Sequence, residues 1–284
     1  MFKTRFINFK SLLRRTFQLL IAGISFFLIF LLLLTTACEE TVPEYDFEEY
    51  PVVEAYLVAG EPVDCIHVFK VSDFLDSITS DKGIGGLEIL LTVDSSMYYL
   101  SENPDTAGYY FYDENELNLY IGQYCSLSFE YNGKTIFSET TIPEKPANLE
   151  LSKSTIYVSS GPGMIMDDPI EVTWDNPGDD FFYMVAENIE DDPTPINDFF
   201  EDEPSSFGTA PSTTNLLNIE PRQIRFYGSY RLVIFRVQPE FAELSQYTTT
   251  NTINLTEPYT NIINGKGIFT SYASDTVYFE ASSK

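Results

Sequence analysis

Histidine occurs once in this chain, at His67, tryptophan once, at Trp174, and cysteine three times, at Cys38, Cys65 and Cys125. So small a supply of soft ligands excludes a recognisable zinc site, which takes several such groups at set spacings. A serine or cysteine nucleophile would have a single imidazole to serve as its base. No G-x-S-x-G elbow and no H-E-x-x-H helix occurs, so we assign no catalytic residue, no metal ligand and no cofactor. Carboxylate pairs are the remaining route to a hydrolase, but among 43 acidic residues some pairs fall close by chance. His67 stands in CIHVF, the setting of a strand residue at the surface or rim of a sheet.

Positive charge is the second shortage. The chain has 16 Lys and Arg against 43 Asp and Glu, a formal net charge of −27. Five of the basic residues, Lys3, Arg5, Lys10, Arg14 and Arg15, lie in the first 37 positions, which hold no acid. The 247 residues that follow keep all 43 acids and 11 bases, a balance of −32. Such a surface repels nucleic acid and anionic headgroups, so no nucleic-acid partner is expected. Gly265-Lys266-Gly267 is not a phosphate loop, because no helix pattern follows to offer its N-terminus to an anion. Acidity does not imply disorder here: 44% of residues are hydrophobic and 15% aromatic, ample for a packed core.

A long uncharged apolar run occurs only at the N-terminus. Phe17 to Leu34 follows the basic start and gives way to Thr35, Thr36, Ala37 and Cys38. Basic start, apolar middle and small-residue end form a secretory signal. The cysteine resembles that of a bacterial lipobox, whose thiol takes diacylglycerol and becomes the first mature residue; Ala37 fits this pattern, while Thr35 stands where Leu is usual. The expectation is a signal peptide over residues 1–37 and lipidation at Cys38. The alternative is an uncleaved anchor, since 18 apolar residues just span a hydrocarbon core of about 30 Å. Under either reading the basic flank leaves the body of the chain outside the cytoplasm. Residues 38–50 are acidic, contain a proline and show no period, which suits a tether. Glu39 and Glu40 resemble the acidic signal that sends some lipoproteins to the outer face of the outer membrane; a solvated linker is the alternative.

Beyond the tether, short alternating segments are separated by turn residues. VVEAYLV precedes Gly60, and YCSLSFEY and KTIFSETTI are joined by Asn132-Gly133, a tight-hairpin signal. Cys125, Leu127 and Phe129 share one face of their segment and Ser126, Ser128 and Glu130 the other, the mark of a half-buried strand. These patterns predict an all-β chain of two tandem antiparallel sandwiches. The first, immunoglobulin-like, covers 51–142. The second covers 143–284, after the break at Pro143 to Pro146. Ile170, Val172 and Trp174 share a face, followed by a turn and a second aromatic strand, which resembles an early fibronectin type III hairpin. Core packing is expected for Trp174 rather than a sugar-stacking platform. Pro239 to Tyr247 is the one short helix expected. In an oxidising compartment Cys65 and Cys125 are candidates for a disulfide, with two free buried thiols as the alternative.

Residues 187–212 form a long acidic insertion with Phe199, Phe200 and Phe207 inside it. Its eight acids between Glu187 and Glu203 lack the spacing of a known calcium loop. Acid with embedded aromatics suits a partner-binding loop.

CEE, PVVEAYLVAGEPV, YNGKTIFSETTIP, VTWDNP and NIINGKGIF occur in an order and spacing that resembles domain of unknown function 4249, a family of Bacteroidota-type lipoproteins. The resemblance spans roughly Cys38 to the C-terminus. It implies an outer-membrane lipoprotein, facing the exterior or the periplasm, often encoded beside a TonB-dependent transporter, and no catalytic residues to carry over. The function expected is therefore non-catalytic: a lipid-anchored envelope protein that assists such a transporter or captures its ligand, a small molecule or a glycan. A structural or adhesive surface protein without a transporter is the alternative.

Overall fold

The computed structural model describes residues 50–70, 82–112, 117–159, 167–250 and 259–283. The leader, Cys38 and the tether before Tyr50 lie outside the described residues. The first half supplies strands Val52–Val58 (β1), Ile66–Lys70 (β2), Lys82–Gly83 (β3), Leu90–Val93 (β4) and Ser96–Tyr99 (β5). Ser101–Glu102 (β6), Tyr109–Phe111 (β7), Tyr124–Tyr131 (β8) and Lys134–Thr141 (β9) complete it. The second half supplies Ala147–Leu151 (β10), Thr155–Val158 (β11), Ile170–Asp175 (β12), Phe181–Asn188 (β13) and Thr194–Pro195 (β14). Ser206–Gly208 (β15), Leu216–Ile219 (β16) and Phe226–Val237 (β17) follow, then helix Pro239–Thr250 (α1) and strand Lys266–Ser283 (β18).

Alternation places the faces as the sequence predicts. Cys125, Leu127 and Phe129 of β8 are buried, while their neighbours look outward. Asn132 and Gly133 have φ +50° and +75°, the left-handed pair that a two-residue hairpin requires. That turn fixes the β8–β9 register from Tyr124↔Thr141 to Tyr131↔Lys134, and a slip of one residue would turn every buried side chain outward.

Two layered cores result. In the first, the sheet β5-β4-β8-β9 brings Ile89, Leu91, Leu127, Phe129 and Ile136 against Val53, Ala55, Ile66 and Val68. In the second, the sheet β10-β12-β16 brings Ile170, Val172 and Trp174 against Phe182, Met184, Leu232 and Ile234. The all-β, sandwich-like layout agrees with the sequence reading.

The way the halves join was not predicted. One mixed sheet of 11 strands, ordered β15-β13-β17-β18-β1-β2-β7-β6 along its main path, serves both cores. Strand β18 runs antiparallel to β17 from Tyr272 to Ala281, but parallel to β1 from Lys266 to Tyr272 and to β11 from Glu280 to Ser283. The first core therefore includes Ile262 and Phe269 from the end of the chain. The pairing covers an edge of β1 that would otherwise expose a ladder of backbone donors and acceptors. Gly267 makes it feasible. Its φ is +94°, and a Cβ there would lie 2.1 Å from the Val53 carbonyl oxygen. Residues 49–284 form one compact unit.

Candidate functional site

The acidic insertion is ordered by its neighbours. β15 adds to the edge of β13 with Phe207 opposite Ala186, and β14 pairs Thr194 with Tyr227 of β17. Between them Asp198–Phe200 forms a 3-10 turn, whose Asn197 side chain accepts from the Phe199 N–H at 3.0 Å. Buried Asn188 donates to the Tyr227 carbonyl at 3.0 Å and accepts from the Glu190 N–H at 3.0 Å. The Glu190 carboxylate accepts from the Ser229 N–H, which lowers its pKa. Arg225 pairs with Glu203 and Arg231 with Glu187, each at 2.6 Å.

The structure separates the three phenylalanines. Phe207 leans on Tyr230 with ring centroids 6.4 Å apart, and Phe200 packs on the second core. Phe199, on the outer side of the turn, is 90% exposed. One apolar ring standing among carboxylates is an anchor suited to an apolar notch with a basic rim.

An aromatic cluster that the sequence reading missed lies where strands of both halves meet the helix. The Tyr272 ring stacks on Tyr56 at 5.9 Å and meets Phe241 of α1 edge-on at 5.2 Å. Tyr183 stacks on Phe235 at 4.8 Å and touches Phe241 at 5.6 Å. Beneath the helix start, Glu240 accepts from the Thr140 and Thr270 hydroxyls at 3.2 and 3.1 Å. Burial pushes the Tyr183 hydroxyl up to about 12 and raises Tyr272 and Tyr56 as well. These phenols stay protonated at neutral pH. One signal was available: Tyr183 lies in the phase opposite to buried Phe182 and Met184, as does Phe235 relative to buried Ile234.

The remaining candidates are placed singly. His67 lies between two rings, 4.1 Å from Tyr109 and 4.5 Å from Phe69, with its Nδ1 4.0 Å from Glu54. It is a strand residue on the sheet surface. Both Cys65 and Cys125 are free thiols in the structure, not the candidate disulfide, and only Cys125 is buried while Cys65 is exposed. Cys125 points from β8 into the first core, where burial pushes its thiol up to about 12. Trp174 is buried beside Phe182 at 5.4 Å, a core residue rather than a platform. Its indole N–H has no hydrogen-bond partner among the described residues. Among those residues no group of three His, Cys, Asp or Glu is arranged to hold a metal ion, and no helix is long and apolar enough to cross a membrane.

A search of curated proteins gives no match to this chain. A family model does match, over residues 39–277, nearly all of the chain that follows Cys38. The chain belongs to the family described as domain of unknown function 4249 (DUF4249).

Proposed function

We propose that the chain is a non-catalytic cell-envelope protein, held by lipid on Cys38 at the outer membrane and facing the exterior. There it acts as an accessory or ligand-capturing partner of a TonB-dependent transporter. The leader supports the anchoring, and the resemblance drawn from the sequence motifs supports the location and the transporter. The observation that carries a partner-binding role is Phe199. It is 90% exposed on a turn that its own cap holds in place, within a segment dense in acid. Exposed aromatics of this kind, when buried by a partner, supply a disproportionate share of binding energy. A second reading, a structural or adhesive protein without a transporter, is favoured by the shared 11-stranded sheet, which makes one stiff body of both cores.

The experiment is purification of the full chain from native membranes in mild detergent, followed by mass spectrometry of partners and of the N-terminus. The expected result is a diacylglyceryl group on Cys38 and a β-barrel partner whose recovery falls when Phe199→Ala is introduced. Recovery without any barrel overturns the transporter reading, and an unmodified Cys38 with the leader intact overturns the lipid anchor.

A further inference from the structure

We propose that β5, the open edge of the sheet β5-β4-β8-β9, is the seam along which two copies of this chain associate. Met97 of each copy pairs with Tyr99 of the other, about a two-fold axis at Tyr98. The inference starts from which backbone groups of β5 are already taken. The Asp94 N–H donates to the Tyr124 carbonyl at 2.8 Å, and the Leu100 N–H to the Ile89 carbonyl at 2.9 Å. In antiparallel pairing such bonds alternate along a strand. With Leu91 opposite Tyr98 and Val93 opposite Ser96, the residues Ser96, Tyr98 and Leu100 turn their N–H and carbonyl groups toward β4. Those of Met97 and Tyr99 face away from it, and no described strand pairs with β5 on that side.

The other edge of the sheet is covered. Phe137 of β9 and Ile263 exchange both backbone bonds, at 3.3 and 2.8 Å. β5 has no such cover among the described residues, and it also lacks the usual guards of an open edge, which are charge, proline and a bulge. It reads Ser-Met-Tyr-Tyr and pairs with β4 in unbroken register. Two large apolar side chains accompany the free groups. Met97 is 68% exposed and Tyr99 65%, and both stand on the outer face, since Tyr98 between them packs on the first core. The other uncharged terminal strands, β15 and β16, offer less: Leu216 is the one large apolar side chain exposed on either.

Self-complementarity identifies the occupant. A two-fold axis at Tyr98 sets Met97 opposite Tyr99 of the second copy and Tyr99 opposite Met97, both as hydrogen-bonded pairs. Four backbone bonds then satisfy the free groups of both edges, and each Met97 thioether meets a Tyr99 ring. An axis at Met97 would set Tyr99 against Ser95 in the turn, and an axis at Tyr99 would set Met97 against Ser101, which belongs to β6. Charge favours the same place. A chain with 43 acids and 16 bases repels its own copies, and β5 carries no charge. The flanking acids are turned onto donors of their own copy. Asp94 accepts from the Tyr124 N–H at 3.1 Å, and Glu102 from the Gly86 and Gly108 N–H groups at 2.8 and 3.2 Å. The axis brings Asp94 toward Glu102 of the second copy, so added salt tightens the contact, the reverse of an ion-paired interface.

The test is amide hydrogen exchange on the full chain in detergent whose micelles far outnumber the chains, so that shared micelles do not force an encounter. A seam this short falls below the size of a stable interface, and its dissociation constant should be on the order of 50 µM. The Met97 and Tyr99 amides should then exchange about fourfold slower at about 500 µM chain than at about 5 µM, while Tyr98, bonded to β4 throughout, stays unchanged. The slowing should grow at roughly molar salt, where the screening length shortens to about 3 Å. Met97→Pro removes a donor that faces away from β4 and should abolish the concentration dependence at Tyr99. If that variant fails to fold, Tyr99→Glu decides, since it alters only the outer face and should weaken the association on the order of tenfold. Exchange at Met97 and Tyr99 that does not depend on concentration overturns the seam. So does slowing shared equally by Tyr98, or slowing that persists undiminished in either variant.

Discussion

Replacing Gly267 by alanine tests the joint between the halves. At φ +94° an L-residue carries a penalty of about 1–2 kcal/mol. The added Cβ would also lie 2.1 Å from the Val53 oxygen and 2.9 Å from the Val53 nitrogen and carbonyl carbon. All three are backbone atoms, so no side-chain rotation relieves the contact. β1 must move away from β18, which loosens a parallel seam running from Val52↔Lys266 to Val58↔Tyr272. Together these effects should cost about 4 kcal/mol, large against the roughly 5–15 kcal/mol that holds a typical domain folded. Urea unfolding of the full chain can be followed by two probes that the sequence provides. Trp174, the only tryptophan, reports the second core. Labelling of Cys125 in a Cys65→Ser background reports the first. Because β18 belongs to both, both midpoints should fall together. A loss under about 1 kcal/mol would be typical of an unremarkable surface change and would refute the close-approach argument. A shift of the Cys125 probe with Trp174 unmoved would refute the shared strand.

Phe199→Ala should leave stability within about 0.5 kcal/mol of the parent, whereas Phe207→Ala, which strips a ring from Tyr230, should cost about 2 kcal/mol; equal losses in thermal unfolding would contradict the separation of the two rings. The Asp167 carboxyl is held at about 2, chiefly by the Lys153 ammonium at 2.8 Å and then by the Tyr157 N–H at 3.0 Å. Because its folded value is depressed, its stabilisation is complete above the ordinary carboxylate value of about 3.9 and is lost as pH falls through about 2. In Lys153→Met an NMR titration should find the Asp167 midpoint risen toward the ordinary value, and an unmoved midpoint would remove Lys153 as the cause. At pH 8, iodoacetamide should alkylate exposed Cys65 and spare Cys125, whose thiol is buried and raised to about 12; similar rates for both would mean that the first core opens readily.

Residues whose environment is set by near neighbours were legible in the sequence. β1 and β8 fall on the alternating segments from which they were read, and Asn132-Gly133 adopts the turn that its residue types favour. Trp174 sits in the core because Ile170 and Val172 share its phase. Periodicity states which face of a strand is buried but not which strand lies beside it. Nothing near Val52 announces a partner at Lys266, and so the β1–β18 seam was missed. The helix was expected to end at Tyr247 but continues to Thr250, through three threonines whose β-branched side chains argue weakly for stopping. The insertion has the pattern of a loop because β14 and β15 are two and three residues long, too short to alternate. Phe199 and Phe200 are adjacent and chemically identical. Their opposite fates follow from the sense of a single 3-10 turn, which composition does not encode.

The seam also bears on how the first core comes to exist. Val52 and Lys266 are 214 residues apart, and closing so long a loop costs about 5 kcal/mol in chain entropy beyond a constant. The hydrogen bonds of the ladder contribute little net stability, since water satisfies the same groups in the open chain. The offset has to come from apolar side chains that β18 and the segment before it bury: Phe269 at 0% exposure, Ile268 at 1% and Ile262 at 5%. At about 1.5–3 kcal/mol each, these three match the closure cost and exceed it only modestly. So narrow a margin makes the seam sensitive to steric cost at the joint. A residue without a Cβ at position 267 keeps that cost away, and the first core is complete only when the last strand of the chain has docked against the first.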